Sequence, residues 1–152
     1  MSLFSSFDAS ASALTTNRLR MDIISSNIAN ANTTRGEYVN GQWQPYRRKM
    51  AVIEPGTSSS FDNFLQAAIG QTGGVQVNGV RVTAIVPDQT PFKSVYDPTN
   101  PDANARGYVQ MPNVDMLKEM VDLMQTTRAY DSNVTAINAA KAMALKALEI
   151  GK

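Results

Sequence analysis

The clearest pattern in the chain lies toward its C-terminus, where apolar residues recur at alternating steps of three and four from Asn113 to Ile150. One row runs Met116, Met120, Leu123, Thr127, Tyr130, Val134, Ile137, Lys141, Ala144 and Leu148, widened by Leu117, Val121, Met124 and Leu145. That heptad spacing keeps one seam facing a partner helix as the backbone turns. No proline or glycine interrupts it. Pro112 and Asn113 mark a capped start, Asp115 falls in the first turn, and Gly151 stands just past the end. At a rise of 1.5 Å per residue the predicted helix is about 55 Å long. One small domain cannot cover such a helix, so the pattern demands a second long one.

The same rhythm returns at the other end, from Leu3 to about Asn32: Phe4, Phe7, Ala11, Leu14, Arg18, Met21, Ser25 and Ile28, with Leu19, Ile23 and Ile24 as a second edge. The filling residues, among them Ser5, Ser6, Ser10, Ser12, Thr15, Thr16, Asn17, Ser26, Asn27 and Asn30, are weak helix formers that offer the backbone competing hydrogen bonds. Alone, such a helix is mostly unfolded in water; it acquires order when its seam meets a partner.

Between the helices the period changes. Asn40-Gly41, set between Glu37-Tyr38-Val39 and Gln42-Trp43-Gln44, predicts a hairpin with a two-residue turn. Tyr46 to Ile53 predicts a strand closed by Pro55-Gly56. A polar link from Thr57 to Ser60 follows, then a short helix through Phe61, Phe64, Leu65 and Ala68 that stops before Gly70 and Gly73-Gly74. Val75, Val77, Val80, Val82 and Ile85 flank a second Asn-Gly pair, Asn78-Gly79, which predicts a hairpin or a bulged strand. Asp97 to Asp102, with two prolines, is a loop, and Tyr108 to Met111 a last short strand. The expected class is α+β: long terminal helices (1–32 and 113–152) pair as a coiled coil, and a small β-rich insert (33–112) lies between them.

Composition then removes chemistry. The 152 residues suffice for one ordinary domain with a modest core. Fourteen basic residues against 13 acidic ones leave +1, so no global field argues for nucleic acid or for a basic partner. Cysteine is absent, which removes disulfides, thiolate metal sites and cysteine nucleophiles; histidine is absent too, which removes the imidazole base and the usual triad. The opening MSLFSSFDASASALTTNRLR has no basic n-region and no unbroken apolar core, so no cleaved secretory signal is expected. No run is long and apolar enough to enter a membrane.

The remaining candidates each have an ordinary reading. Asp97-Pro98-Thr99-Asn100-Pro101-Asp102-Ala103-Asn104 is rich in oxygens but lacks the central glycine and terminal glutamate of a calcium loop, and reads as turns. Arg47-Arg48-Lys49 beside Tyr46 and Trp43 reads as a solvated face. Asp115, Glu119 and Asp122 crowd the start of the C-terminal helix, where charge favours the helix dipole and solubility. Met116, Met120 and Met124 at helical spacing read as seam packing. No glycine-rich phosphate loop or nucleophile elbow occurs. No catalytic, cofactor or metal residue emerges; surface for association is what remains.

At this point the residues point to a family. Ser26-Asn27-Ile28-Ala29-Asn30-Ala31-Asn32-Thr33-Thr34-Arg35-Gly36 resembles the motif that closes the first helix in the flagellar axial proteins, the rod, hook and hook-associated subunits. Asn113 to Lys152, with Glu119-Met120-Val121-Asp122-Leu123-Met124, Arg128-Ala129-Tyr130 and Asn133, looks like their C-terminal counterpart. The stretches Gly79 to Val86, Val95 to Pro98 and Gly107 to Val114 are similar to the proximal-rod proteins of the FlgC type. The chain departs from the pattern where Arg35 separates Thr34 from Gly36, where Glu37 precedes Tyr38, and in the length of the Glu37–Gln44 hairpin.

The resemblance implies a subunit exported by the flagellar type III apparatus and assembled helically into the drive shaft. Its terminal helices would line the inner tube, with the insert outside. Partners so implied are copies of the chain, other rod subunits, the rod base adaptor, the membrane ring and the export apparatus, in the flagellar basal body, with no nucleic acid and no cofactor. The residues expected at subunit interfaces are Phe4, Phe7, Leu14, Met21, Asn27, Ile28, Asn30, Met116, Met120, Leu123, Tyr130, Val134, Ile137 and Leu148. The alternative is a helix-pairing adaptor that never polymerises.

Overall fold

The computed structural model describes residues 3–39, 41–57 and 77–150. Helix α1 spans Leu3–Ala29. It is followed by the hairpin strands β1 (Glu37–Val39) and β2 (Gln42–Gln44), β3 (Lys49–Thr57), β4 (Val77–Pro87), β5 (Lys93–Tyr96), β6 (Tyr108–Met111) and helix α2 (Met116–Ile150). The strands form three separate two-stranded sheets, β1-β2, β3-β4 and β5-β6. The class is α+β, as the periodicities predict. Among the described residues no helix is long and apolar enough to cross a membrane.

The hairpin at Gly41 forms in the expected register, Val39 opposite Gln42, with Gly41 at φ 83°. Other expectations shift. The strand predicted from Tyr46 to Ile53 starts at Lys49 and runs through Pro55-Gly56 to Thr57. A two-stranded sheet leaves each strand one open edge, where a residue without a backbone donor is tolerated. Of the two readings of Asn78-Gly79, a hairpin turn or a strand carried through it, the structure has the strand: β4 continues through the pair, with Gly79 at φ 80°. Strand β5 has no counterpart among the elements the sequence predicts; it pairs antiparallel with β6, Lys93 opposite Met111 and Tyr96 opposite Tyr108. The polar link after Thr57, the short helix through Phe61, Phe64, Leu65 and Ala68, the stop at Gly70 and Gly73-Gly74, Val75, and the turn residue Asn40 lie outside the described residues.

The chain divides into two compact units. One comprises Met1–Arg18, Ile53–Thr83 and Arg128–Lys152. Here Ser12 Oγ donates to the Ala9 carbonyl at 2.7 Å and accepts from the Val80 amide at 3.1 Å. A helical serine thus satisfies a strand donor, and Gly79 leaves the room: a Cβ there would collide with Ser12 Oγ and come within 3.2 Å of Ala9 Cα. Positive φ and the collision act together, so Gly79→Ala is expected to destabilise this unit by about 1–3 kcal/mol, read as a lowered urea midpoint.

The other unit comprises Leu19–Val52 and Ala84–Thr127. Among its described residues the aliphatic side chains Ile23, Ile24, Val109 and Val114 are buried, with Pro45 and Pro112, and they share the interior with Asn27, Glu119 and Thr126. The core therefore has to be held by hydrogen bonds as well as by apolar burial.

Helix α2 differs from its sequence reading in two ways. Its N-cap is Asp115, whose Oδ1 accepts from the amides of Leu117 (3.2 Å) and Lys118 (3.4 Å), and not Asn113. Its inward face also differs. Leu123, Tyr130, Ile137 and Ala144 are half-buried as the apolar row predicts, but the second row is Glu119, Thr126, Asn133 and Ala140. The expected second row, Met120, Thr127 and Lys141, lies one residue further round and is exposed; only Val134 of that row is half-buried. Thr126 tolerates burial because its hydroxyl donates to the Asp122 carbonyl of its own helix at 2.7 Å.

Candidate functional site

The densest chemistry in the chain is a polar junction where the end of α1, the start of β3 and the first turns of α2 meet. Asn27 sits on the last turn of α1 and is 1% exposed. Its amide nitrogen donates to the Lys49 carbonyl (2.9 Å) and to Glu119 Oε2 (3.0 Å). Its amide oxygen accepts from the Lys49 amide (2.9 Å) and from the Tyr46 hydroxyl (2.9 Å). All four hydrogen-bonding positions of the amide are filled. Its rotamer, and with it the docking of β3 on α1, is over-determined.

Glu119 is 0% exposed. Its second oxygen accepts from Arg48 Nε at 2.5 Å. The Arg48 side chain, 16% exposed, also reaches Asp88 Oδ2 at 3.4 Å and lies 3.8 Å from Asp122 Oδ2. Burial alone would lower the Arg48 guanidinium, but the hydrogen bonds and charges of Glu119 and Asp88 outweigh it and hold the group above its ordinary value. The Thr90 backbone amide, followed by the Thr90 and Arg48 side chains, holds the Asp88 carboxyl below its ordinary value against a smaller effect of burial.

Asn113 braces the same junction. Its side-chain oxygen accepts from the Arg48 amide at 2.8 Å. Its nitrogen donates to the Asp88 carbonyl (3.2 Å), the Thr90 carbonyl (3.1 Å) and the Thr90 hydroxyl (2.9 Å). No buried side-chain polar atom among the described residues is left without a partner.

These placements correct two readings. Glu119 is the buried centre of the network rather than part of a solubilising acidic cluster, and Arg47-Arg48-Lys49 is not simply a solvated face. Arg48 turns inward, Arg47 lies 4.6 Å over the Phe92 ring and donates to the Asp88 carbonyl, and Lys49 holds Asn27 through its backbone. The one signal that marked the junction was Asn27, inside the motif that closes α1. Its partners came from segments too distant in sequence to be paired by spacing.

A second tie explains the inserted Arg35. Its Nε and Nη2 donate to Asp102 Oδ1 at 2.7 and 2.5 Å, and the Thr34 hydroxyl donates to Asp102 Oδ2 at 2.8 Å. The other oxygens of this loop close turns: Asp97 Oδ1 accepts from Thr99, Asn100 Oδ1 from the Asp102 amide, and Asn104 Oδ1 from the Arg106 and Tyr108 amides. Arg35, by hydrogen bond and charge, and Thr34 hold the Asp102 carboxyl below its ordinary value. A carboxyl depressed in the folded state stabilises fully above its unfolded value, about 3.9, and loses that contribution as pH falls through the folded value. Backbone amide protection in the 97–104 loop should therefore be flat through neutral pH and fall only below about pH 4. Arg35→Ala should move the Asp102 titration, followed by carboxyl NMR, upward toward the ordinary value.

The residues expected at subunit interfaces fall into three groups. Asn27 is enclosed by its own chain. Leu14, Met21, Ile28, Asn30, Leu123, Tyr130, Val134 and Ile137 are half-buried. Phe7, Met116, Met120 and Leu148 are exposed, Leu148 at 73%. The side chain of Phe4 lies outside the described set. The structure brings together Asn27 with Glu119, and Met21 Sδ with the Thr127 hydroxyl at 3.6 Å. Among the described residues no cluster of three acidic side chains could hold a metal ion.

The polar junction ties the two terminal helices to a β-rich segment, and α2 keeps a set of large apolar residues exposed. Residues 7–35 match the family described as Flagella basal body rod protein, and residues 105–150 match Flagellar basal body rod FlgEFG protein C-terminal. Over its full length the chain is 56% identical to the flagellar basal-body rod protein FlgC of Bacillus subtilis (strain 168), with all of both chains covered. It is 40% identical to the FlgC of Salmonella typhimurium (strain LT2), again with all of both chains covered. With the FlgC of Borreliella burgdorferi the identity is 39% over 99% of this chain and 98% of that one. The chain belongs to the FlgC family of flagellar basal-body rod proteins.

Proposed function

We propose that the protein is a structural subunit of the flagellar proximal rod, acting by association and not by catalysis. The observation that carries this reading, in a member of a rod family, is the outer face of α2. Met116, Leu117, Met120, Val121 and Met124 form a continuous exposed apolar row over its first turns, with Leu117 74% exposed, and Met143, Leu145 and Leu148 continue the exposure near its end. Rows of this kind mark association surfaces. Full burial of an exposed side chain of this size is worth about 1.5–3 kcal/mol, so completing the burial of these partly covered ones against a neighbour adds a fraction of that at each position.

In this reading the helices α1 and α2 pair as a coiled coil. Asn27 meets Glu119 and Met21 meets Thr127, so the contact moves toward the end of α2 as it moves toward the start of α1, which is the sense of an antiparallel pair. The helical segments 1–32 and 113–152 form the inner tube of the rod and the segment 33–112 faces outward. The subunit passes through the flagellar type III apparatus, and its neighbours are copies of itself, other rod subunits, the rod base adaptor and the membrane ring. It binds no nucleic acid or cofactor and does not enter the membrane.

The test is the double substitution Leu117→Glu/Met124→Glu. Both side chains are exposed, so circular dichroism and thermal midpoint should stay within a few degrees of the parent protein. In a flagellated cell relying on this copy, basal bodies should stop short of a complete rod and swimming should be lost. Normal swimming with both changes would overturn the proposal.

A further inference from the structure

Within the unit of Leu19–Val52 and Ala84–Thr127, α1 meets α2 at Asn27–Glu119 and at Met21–Thr127, and the half-buried rows of α2 do not by themselves distinguish one heptad from the next. The inward face of α2 repeats every seven positions, with Leu123, Tyr130, Ile137 and Ala144 in one row and Thr126, Asn133 and Ala140 in the other. Moving the helix by one heptad replaces Leu123 with Tyr130 and Thr126 with Asn133 and still presents a seam of similar character. The one acidic side chain in these rows is Glu119, and such a move would put Thr126 in its place.

We propose that the Asn27–Arg48–Glu119 network is a register lock, which selects one alignment of α1 on α2 while adding little net stability over an apolar core of equal volume. Removing two charges from water is unfavourable, and their mutual attraction roughly offsets this when the geometry is good. Mispairing is different. In a slipped register the buried Glu119 would lose both Arg48 Nε and Asn27 Nδ2, and an uncompensated charge in the interior is strongly disfavoured. The lock acts on three elements at once, because Asn27 also bonds both backbone groups of Lys49 in β3. A shift of α1, β3 or α2 alone breaks it.

The absence of native cysteine makes the register directly readable by cross-linking in the full chain. Met21→Cys with Thr127→Cys reports the native alignment, where the two side chains touch. Met21→Cys with Met120→Cys or with Val134→Cys reports alignments displaced by one heptad. Each pair is placed in the parent and in the Asn27→Leu/Arg48→Met/Glu119→Leu variant, oxidised at high dilution, and scored on the monomer band. In the parent only the 21–127 pair should close. In the folded triple variant a displaced pair should close within about tenfold of the 21–127 rate, a window in which the registers differ by no more than 1.4 kcal/mol. Closure of the 21–127 pair alone in the triple variant would overturn the proposal, since the register would then be set outside the network, by apolar packing or by the hydrogen bonds of Asn113. A triple variant that fails to fold would overturn it as well, since the network would then supply stability and not selection. Ready closure of displaced pairs in the parent would show that no lock exists.

Discussion

Arg48→Met should lower the unfolding free energy by about 3–5 kcal/mol, and Glu119→Leu should lower it by less, near the bottom of that range. The inequality follows from what each change leaves behind. Without Arg48, the fully enclosed Glu119 carboxylate keeps a single donor, the Asn27 amide. Without Glu119, the guanidinium still has Asp88 at 3.4 Å and Asp122 at 3.8 Å, and it sits closer to water. Denaturant titration of both variants checks the order. For a domain of this size each kcal/mol corresponds to roughly 2–4 °C, so Arg48→Met should melt on the order of 10 °C below the parent. Equal losses, or losses under about 1 kcal/mol, would mean that the pair behaves as an exposed one and that the junction is wetter than its enclosure implies.

The contrast with the sequence reading lies at this same junction. Features written in local chemistry were legible: two heptad-spaced helices, the turn at Gly41, the loop from Asp97 to Asp102. Those that depend on a distant partner were not. A three-four pattern prefers Met120 to Glu119 for the seam, because apolarity is the only criterion that spacing offers. The structure prefers Glu119, because Arg48 and Asn27 wait opposite it. The same cause moved the helix cap. Asn113 looks like an N-cap, but its amide is engaged by Arg48, Asp88 and Thr90, which leaves the task to Asp115. Strand β5 left no trace in the pattern, since all four residues of Lys93–Tyr96 are exposed and no alternation marks a buried face. It exists through pairing with β6 and through the Tyr96–Tyr108 ring contact, whose centroids lie 5.3 Å apart. Arg35 looked like an insertion into a family motif; its meaning depended on Asp102, far away in the chain.

Asn27 offers the sharpest test of the junction because its substitutions separate shape from charge. Asn27→Ala removes four hydrogen bonds and leaves the Lys49 amide and carbonyl and the Tyr46 hydroxyl to find other partners. Each buried group left unsatisfied costs about 1–3 kcal/mol, and some are reached by water entering the space, so a total loss of about 3 kcal/mol is expected. Asn27→Asp keeps the acceptor for Lys49 and Tyr46 but places a second carboxylate about 3 Å from Glu119 Oε2, where the native amide donates. At pH 7 it should therefore be at least as damaging as alanine, although it is nearly isosteric. Its defect alone should shrink on acidification, since a protonated carboxyl can again donate to Glu119. Thermal midpoints of the two variants measured between pH 5 and pH 7.5 distinguish the cases. If the two curves ran parallel to the parent over that range, the amide would be filling space and not supplying the donor that joins α1 to α2.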